Sequence, residues 1–161
     1  MTRMHVNIRV ADLERSVAYY TKLWNRPPTK RRADYAKWSL AEPAVNFALT
    51  MADAAHPAGV EHLGVEVTEQ AHLSEALTRA EAAGEVFVEG RVTCCYADSS
   101  KGWARDPDGV AWELFLTHGD AEERGGGGPG GTTVALAQQR PVAIGAGERE
   151  AEACCASDCC S

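Results

Sequence analysis

At 161 residues, with 45% hydrophobic and 24% charged residues, the chain has the size and composition of one globular domain with a real core, and is too short for two ordinary ones. The formal net charge of -7 argues against a nucleic-acid surface. No apolar leader and no run long enough to cross a membrane is read, so the expectation is a cytoplasmic protein with no membrane partner.

Residues 4–10 alternate, with Val6, Ile8 and Val10 on one face and His5, Asn7 and Arg9 on the other, which predicts a half-buried strand with an unusually polar second face. Asp12 is an N-cap candidate for the helix that follows, whose apolar stripe is Leu13, Val17, Tyr20 and Leu23-Trp24. Pro27 and Pro28 end it. Strands are predicted over 30–32, 35–40 and 45–50, then a loop over 52–59. The order then repeats. Leu63, Val65 and Val67 alternate against His62, Gly64 and Glu66, and a helix over 69–83 turns Leu73, Ala76, Leu77 and Ala80 inward. Gly84 is expected to stop it as a left-handed cap. Further strands are predicted over 85–89, 93–98, 102–105 and 110–117, with a tight turn at Asp106-Pro107-Asp108-Gly109.

The chain therefore reads as a strand-helix-strands unit used twice, an α+β architecture. Laid on each other, the halves pair His5 with His62 and Asn46 with Glu113. A pseudo-twofold fold brings such positions together. A lone strand histidine is ordinarily solvated or hydrogen-bonded, and it is the repeat relation that singles out these two; His56, His72 and His118 lack it and read as surface or turn residues. With Trp112, Leu114 and Leu116 on the helix side, Glu113 faces the cleft. His5, His62 and Glu113 thus form a two-His-one-carboxylate candidate that suits Fe(II), although manganese, nickel or zinc fit the same atoms. Asn46 reads as a hydrogen-bonding residue of the cavity rather than a fourth ligand.

The six cysteines occur only as neighbours, at Cys94-Cys95, Cys154-Cys155 and Cys159-Cys160, which is not the spacing of a disulfide framework. Adjacent cysteines would close a strained ring, so Cys94 and Cys95 are expected as thiols able to hold a soft, thiophilic atom. On a regular strand their side chains would point to opposite faces, so a joint role requires a loop or bulge. From residue 121 the texture changes to a Gly-rich linker and a tail poor in large apolar residues, read as disordered and carrying the other four cysteines.

The doubled pattern with His5, His62 and Glu113 resembles the vicinal oxygen chelate superfamily, which includes glyoxalase I, extradiol dioxygenases and bleomycin-resistance proteins. The segments Glu61-His62-Leu63-Gly64-Val65-Glu66-Val67, Thr93-Cys94-Cys95-Tyr96-Ala97, Lys101-Gly102-Trp103 and Trp112-Glu113 are similar to its carbon–arsenic lyases and to cadmium-induced proteins. The resemblance implies a vicinal oxygen chelate domain over residues 1–120, made of two βαβββ modules at about 1–52 and 59–118 around a concave metal cleft, with linker and tail over 121–161. It also implies an Fe(II)-dependent dioxygenase, with O2 as co-substrate, that cleaves the C–As bond of trivalent organoarsenicals such as methylarsonous acid to give arsenite. In that reading His5, His62 and Glu113 hold the metal, Cys94 and Cys95 hold the arsenic, and Tyr96, Lys101 and Trp103 shape or orient the substrate site. Some members place Gln where this chain has His5. Two other readings stay open: a binding protein of the same fold that sequesters arsenicals or Cd(II) without turnover, and a glyoxalase-like isomerase. The expected partner is a small molecule, with the chain as a monomer or homodimer.

Overall fold

The computed structural model describes residues 2–126; most of the Gly-rich run and the expected tail with its cysteines lie outside the described residues. Ten elements follow one another: β1 (Arg3–Val10), α1 (Leu13–Leu23), β2 (Lys30–Arg32), β3 (Tyr35–Leu40), β4 (Val45–Met51), β5 (Gly59–Val67), α2 (Gln70–Ala83), β6 (Val86–Cys94), β7 (Ala97–Arg105) and β8 (Ala111–Asp120). The Asp12 side chain accepts from the Arg15 backbone N–H at 2.9 Å, so the predicted cap starts α1. Gly84 ends α2 differently from expectation. Its φ of 172° is extended backbone, not the left-handed region, so the helix stops by running straight into β6.

The eight strands form one curled sheet in the order β2-β3-β4-β1-β5-β8-β7-β6. Each half contributes four strands, and the halves meet where β1 runs antiparallel to β5. Within the halves β1 pairs parallel with β4, and β5 pairs parallel with β8, as a strand-helix-strands unit used twice requires. Strand alternation sorts the side chains into two faces. One face carries two separate cores, each under its own helix: Leu13, Val17, Trp38, Leu40, Phe47 and Leu49 in the first half, and Leu73, Ala76, Leu77, Leu114 and Leu116 in the second. The helices thus occupy one side of the sheet, and the polar residues of β1, β3, β4, β5, β7 and β8 line the concave side.

The second half departs from the predicted elements in one place. Residues 93–98 are not a strand. Cys94 closes β6, Cys95 and Tyr96 turn the chain, and Ala97 opens β7, so that two long strands replace the short ones expected over 85–89, 93–98 and 102–105. Cys95 (φ 54°) and Tyr96 (φ 62°) both have positive φ, the requirement of a two-residue type I′ hairpin. Among the described residues no helix is long and apolar enough to cross a membrane.

Candidate metal centre and thiol pair

His5 on β1, His62 on β5 and Glu113 on β8 converge at the centre of the concave face. The His5 and His62 Nε2 atoms lie 3.0 Å apart, and Glu113 Oε2 lies 3.5 Å from the first and 3.4 Å from the second. All three residues are 5% exposed, so water contributes little to their solvation. The sheet register explains the convergence. His5 faces Gly64 across the β1/β5 pair, and Gly64 in turn faces Glu113 across the β5/β8 pair. Gly64 is needed there because a Cβ would sit 2.3 Å from the Glu113 carbonyl oxygen, a distance no side chain tolerates.

The chemistry of these donors fits a divalent metal. His5 Nδ1 donates to the Asn46 backbone carbonyl at 2.9 Å; a carbonyl only accepts, so Nδ1 holds the proton and Nε2 presents a lone pair to the centre. Burial lowers the His5 pKa to about 4, the neighbouring Glu113 opposing and His62 assisting, so the ring is neutral at physiological pH. His62 Nδ1 has no hydrogen-bond partner and lies 4.0 Å from Glu61 Oε2. Burial alone would raise the Glu113 carboxyl, but the hydrogen bond to His62 and the charge of Lys101 hold it well below the usual carboxylate range. Two imidazoles and one ionised carboxylate aimed at one point are the ligand set of a two-His-one-carboxylate centre, compatible with Fe(II).

Lys101 lines the cavity and is bonded to the metal group. It is 4% exposed, and its Nζ donates to Glu113 Oε1 at 2.6 Å, on the carboxylate oxygen turned away from the imidazoles. Burial would lower the ammonium pKa; Glu113 and the two thiols override this and raise it. Trp103 packs edge-on against the His62 ring at 5.1 Å and donates its indole N–H to Glu89 at 2.9 Å.

The hairpin turn supplies the break in alternation that a joint role for Cys94 and Cys95 demands. Their sulfurs stand 3.3 Å apart without a disulfide between them, and both residues line the same cavity of about 180 Å³ as His5, His62 and Glu113. The shared proton lowers the Cys94 thiol and raises that of Cys95, which gives one thiolate and one thiol. Left-handed backbone at two residues other than Gly costs roughly 1–2 kcal/mol each. The turn is held by the Tyr96 hydroxyl on Asp34 at 2.6 Å, by Lys30 Nζ on the Tyr96 carbonyl at 2.6 Å, and by Arg124 on Asp34. Tyr96 is therefore a clasp between the two halves and is not among the residues that line the cavity.

Several lining residues escaped the sequence reading. Glu61 shares the cavity with its neighbour His62 because the β1/β5 register slips between Asn7 and Ile8, a bulge that turns two adjacent residues to one face; Glu61 pairs there with Arg9. Tyr35 and Lys37 face the cavity from β3, opposite the buried Ala36, Trp38 and Leu40. Their alternation was legible, but what they would face was not. His56 also lines the cavity rim and bonds Asp53, whereas His118 bonds Ser100.

Residues 3–114 match the Glyoxalase/Bleomycin resistance protein/Dioxygenase superfamily. Over 161 residues the chain is 34% identical to the trivalent organoarsenical cleaving enzyme of Thermomonospora curvata, spanning 99% of this chain and 100% of that one. It is 33% identical over 128 residues to the cadmium-induced protein CadI of Mycobacterium bovis, spanning 79% of this chain and 84% of that one. Among solved structures, the Mn(II)-bound glyoxalase of Novosphingobium aromaticivorans aligns with a TM-score of 0.54 at 21% identity, over 79% of this chain and 44% of that one, a likeness of fold.

These findings correct the expected function. The metal group consists of His5, His62 and Glu113 without either cysteine, and the relatives include CadI proteins, named for induction by cadmium and not for bond cleavage. An iron–oxygen lyase working through a cysteine-held arsenical is overturned in favour of a binding role. Kinship with cleaving enzymes and the His-His-Glu group support, at a coarser level, a capacity for metal binding or enzymatic activity. By the matched span, the doubled fold and the relatives alike, the chain belongs to the Glyoxalase/Bleomycin resistance protein/Dioxygenase superfamily, beside the trivalent-organoarsenical-cleaving and CadI-like proteins.

Proposed function

We propose that the chain is a resistance protein that binds a trivalent arsenical or Cd(II) on Cys94 and Cys95 without turning it over. The observation that carries this is the pair of sulfurs 3.3 Å apart, not joined in a disulfide, lining a cavity of about 180 Å³. Trivalent arsenic with one organic substituent has two exchangeable oxygens, and two adjacent sulfurs replace both. Cd(II) is equally soft and takes the same donors. Cys94 enters as thiolate, and the Cys95 proton leaves as the second sulfur bonds. The names of the relatives, organoarsenical-cleaving in one group and cadmium-induced in the other, support a thiophilic ligand of this class.

His5, His62 and Glu113 would hold a resident divalent ion, for which Fe(II) is our assignment from the ligand set. When bound, it supplies positive charge and open coordination positions beside the thiols. Lys101 acts on that centre through Glu113, fixing which carboxylate oxygen is left for the metal. The residue types and the absence of a long apolar helix among the described residues accord with a cytoplasmic site of action.

Isothermal titration with methylarsonous acid and with Cd(II), under reducing conditions, tests the reading. The protein is expected to bind both with or without added Fe(II), Cys95→Ser to lose roughly 100-fold in affinity through loss of the second, intramolecular contact, and the Cys94→Ser/Cys95→Ser variant to lose at least as much. Catalytic release of arsenite from methylarsonous acid in air with Fe(II), beyond one equivalent per chain, would overturn the binding role. Undiminished affinity in the double variant would remove the thiols from it.

A further inference from the structure

The two halves of the cleft place a lysine at matching positions. Lys101 on β7 stands opposite Phe115 of β8, two residues beyond Glu113. Lys37 on β3 stands opposite Ala48 of β4, two residues beyond Asn46. Within these two antiparallel pairs Lys37 therefore stands to Asn46 as Lys101 stands to Glu113. The second half gives its lysine a carboxylate at 2.6 Å. The first half gives an amide, and the Lys37 ammonium makes no hydrogen bond or ion pair among the described residues. The nearby acids are engaged elsewhere: Glu66 pairs with Arg3 and accepts from Thr117, and Asp120 pairs with Lys30.

Two neighbours on the same wall are likewise unsatisfied. Tyr35, two residues before Lys37 and 5% exposed, has no hydrogen-bond partner for its hydroxyl among the described residues, though its ring packs on that of Tyr96 at 5.8 Å. The Asn46 side-chain oxygen is buried without a partner. The Lys37 ammonium and the Tyr35 hydroxyl thus face the cavity with no partner among the described residues, both open to a ligand on the same wall. Burial raises the Tyr35 pKa, and the negative charge of the neighbouring thiol pair and of Glu113 raises it further. The Lys37 ammonium is lowered by burial and by Lys30 and Arg3, opposed by Glu66 and Asp120, as expected of a cation with too little counter-charge.

We infer that Tyr35 and Lys37 form a subsite for an acidic oxygen group, a carboxylate or phenolate, carried on the organic substituent of the thiol-held arsenical. The inference rests on the binding role proposed above and narrows its ligand to arsenicals with an acid function. The group accepts one charge-assisted bond from Lys37 Nζ and one from the Tyr35 hydroxyl, supplying what the carboxylate of Glu113 supplies to Lys101.

The test compares phenylarsonous acid with 4-carboxyphenylarsonous acid by isothermal titration on the full chain. The carboxylated compound is expected to bind about 10-fold tighter, the worth of one charge-assisted hydrogen bond in a partly desolvated site. Lys37→Met is expected to bring the ratio of the two affinities close to one, Tyr35→Phe to about three, and Lys37→Arg to restore most of the preference. A merely structural role would lower both affinities together and leave the ratio where it was. Equal binding of the two compounds by the unaltered protein overturns the subsite and leaves the thiol-binding role standing. Binding of neither overturns that role and the subsite with it.

Discussion

Lys37 stands to Asn46 in the β3/β4 pair as Lys101 stands to Glu113 in the β7/β8 pair, although the second pair is slid by two residues: Asn46 lies opposite His5, whereas Glu113 lies opposite Gly64, two residues beyond His62. The backbone plan is shared and the charge is not. In the second half a buried carboxylate and a buried ammonium neutralise each other at 2.6 Å, and the same carboxylate faces both imidazoles. In the first half the corresponding amide is neutral and the lysine has no hydrogen bond or ion pair among the described residues. A duplicated fold can thus divide labour by one residue pair: one wall holds the metal ligand with charge, and the other keeps its cation for a ligand that arrives from outside.

Breaking the charged wall should have the largest effect. Glu113→Gln removes the carboxylate of the metal group and leaves Lys101 buried beside a neutral amide. Metal retained after dialysis against Fe(II) or Mn(II) is expected to fall at least about 100-fold, the upper range for loss of a ligand or its close support. Without metal, the stranded ammonium is expected to cost about 3 kcal/mol in urea unfolding, as when a buried pair loses one member. Metal content equal to that of the unaltered protein would place the ion elsewhere.

His5 offers a second way to separate the walls, through pH. Its folded pKa of about 4 lies below the ordinary value of 6.5 because the ring is buried. The unfolded chain takes up a proton that the folded chain refuses between these values. Stability is therefore intact above pH 6.5, falls as the pH drops below it, and levels only below 4. At pH 5 the metal-free protein should have lost about 2 kcal/mol relative to pH 7.5, read from urea midpoints. His5→Gln, which cannot titrate, should lose distinctly less. An equal loss in both would mean that His5 is not held neutral in the fold.

Much of this arrangement was written in the chain and some was not. His5, His62 and Glu113 were legible because alternation assigns a face and the repeat assigns a position, and both survive folding. Glu61 was hidden because a bulge between Asn7 and Ile8 breaks the alternation that sequence reading relies on. The hairpin at Cys95-Tyr96 was hidden because it lacks the Asn-Gly signal of a type I′ turn; its strain is met by Asp34, Lys30 and Arg124, all remote in sequence. Tyr35 and Lys37 showed their face but not their neighbours, since only the closed sheet sets β3 against the β6/β7 hairpin. The expected lyase came from resemblance, and resemblance spans relatives named for cleavage and relatives named for induction by cadmium alike.

The smallest predicted effect is the most pointed test of the comparison. Asn46→Glu gives the first wall the carboxylate that the second already has. If the register equivalence is right, the new side chain pairs with Lys37 as Glu113 pairs with Lys101, and the cation is no longer open to a ligand. The preference for 4-carboxyphenylarsonous acid over phenylarsonous acid should then collapse from about 10-fold to near unity, with no change made to Lys37 itself. A new carboxylate in the cavity repels an incoming acid as well, so the double variant Asn46→Glu/Lys37→Met separates the causes. With Lys37 gone, simple repulsion should push the ratio below one, whereas pairing in the single variant should hold it near one. The same low ratio in both variants would show that Lys37 never met the new carboxylate, and the equivalence of the two walls would fail at that position.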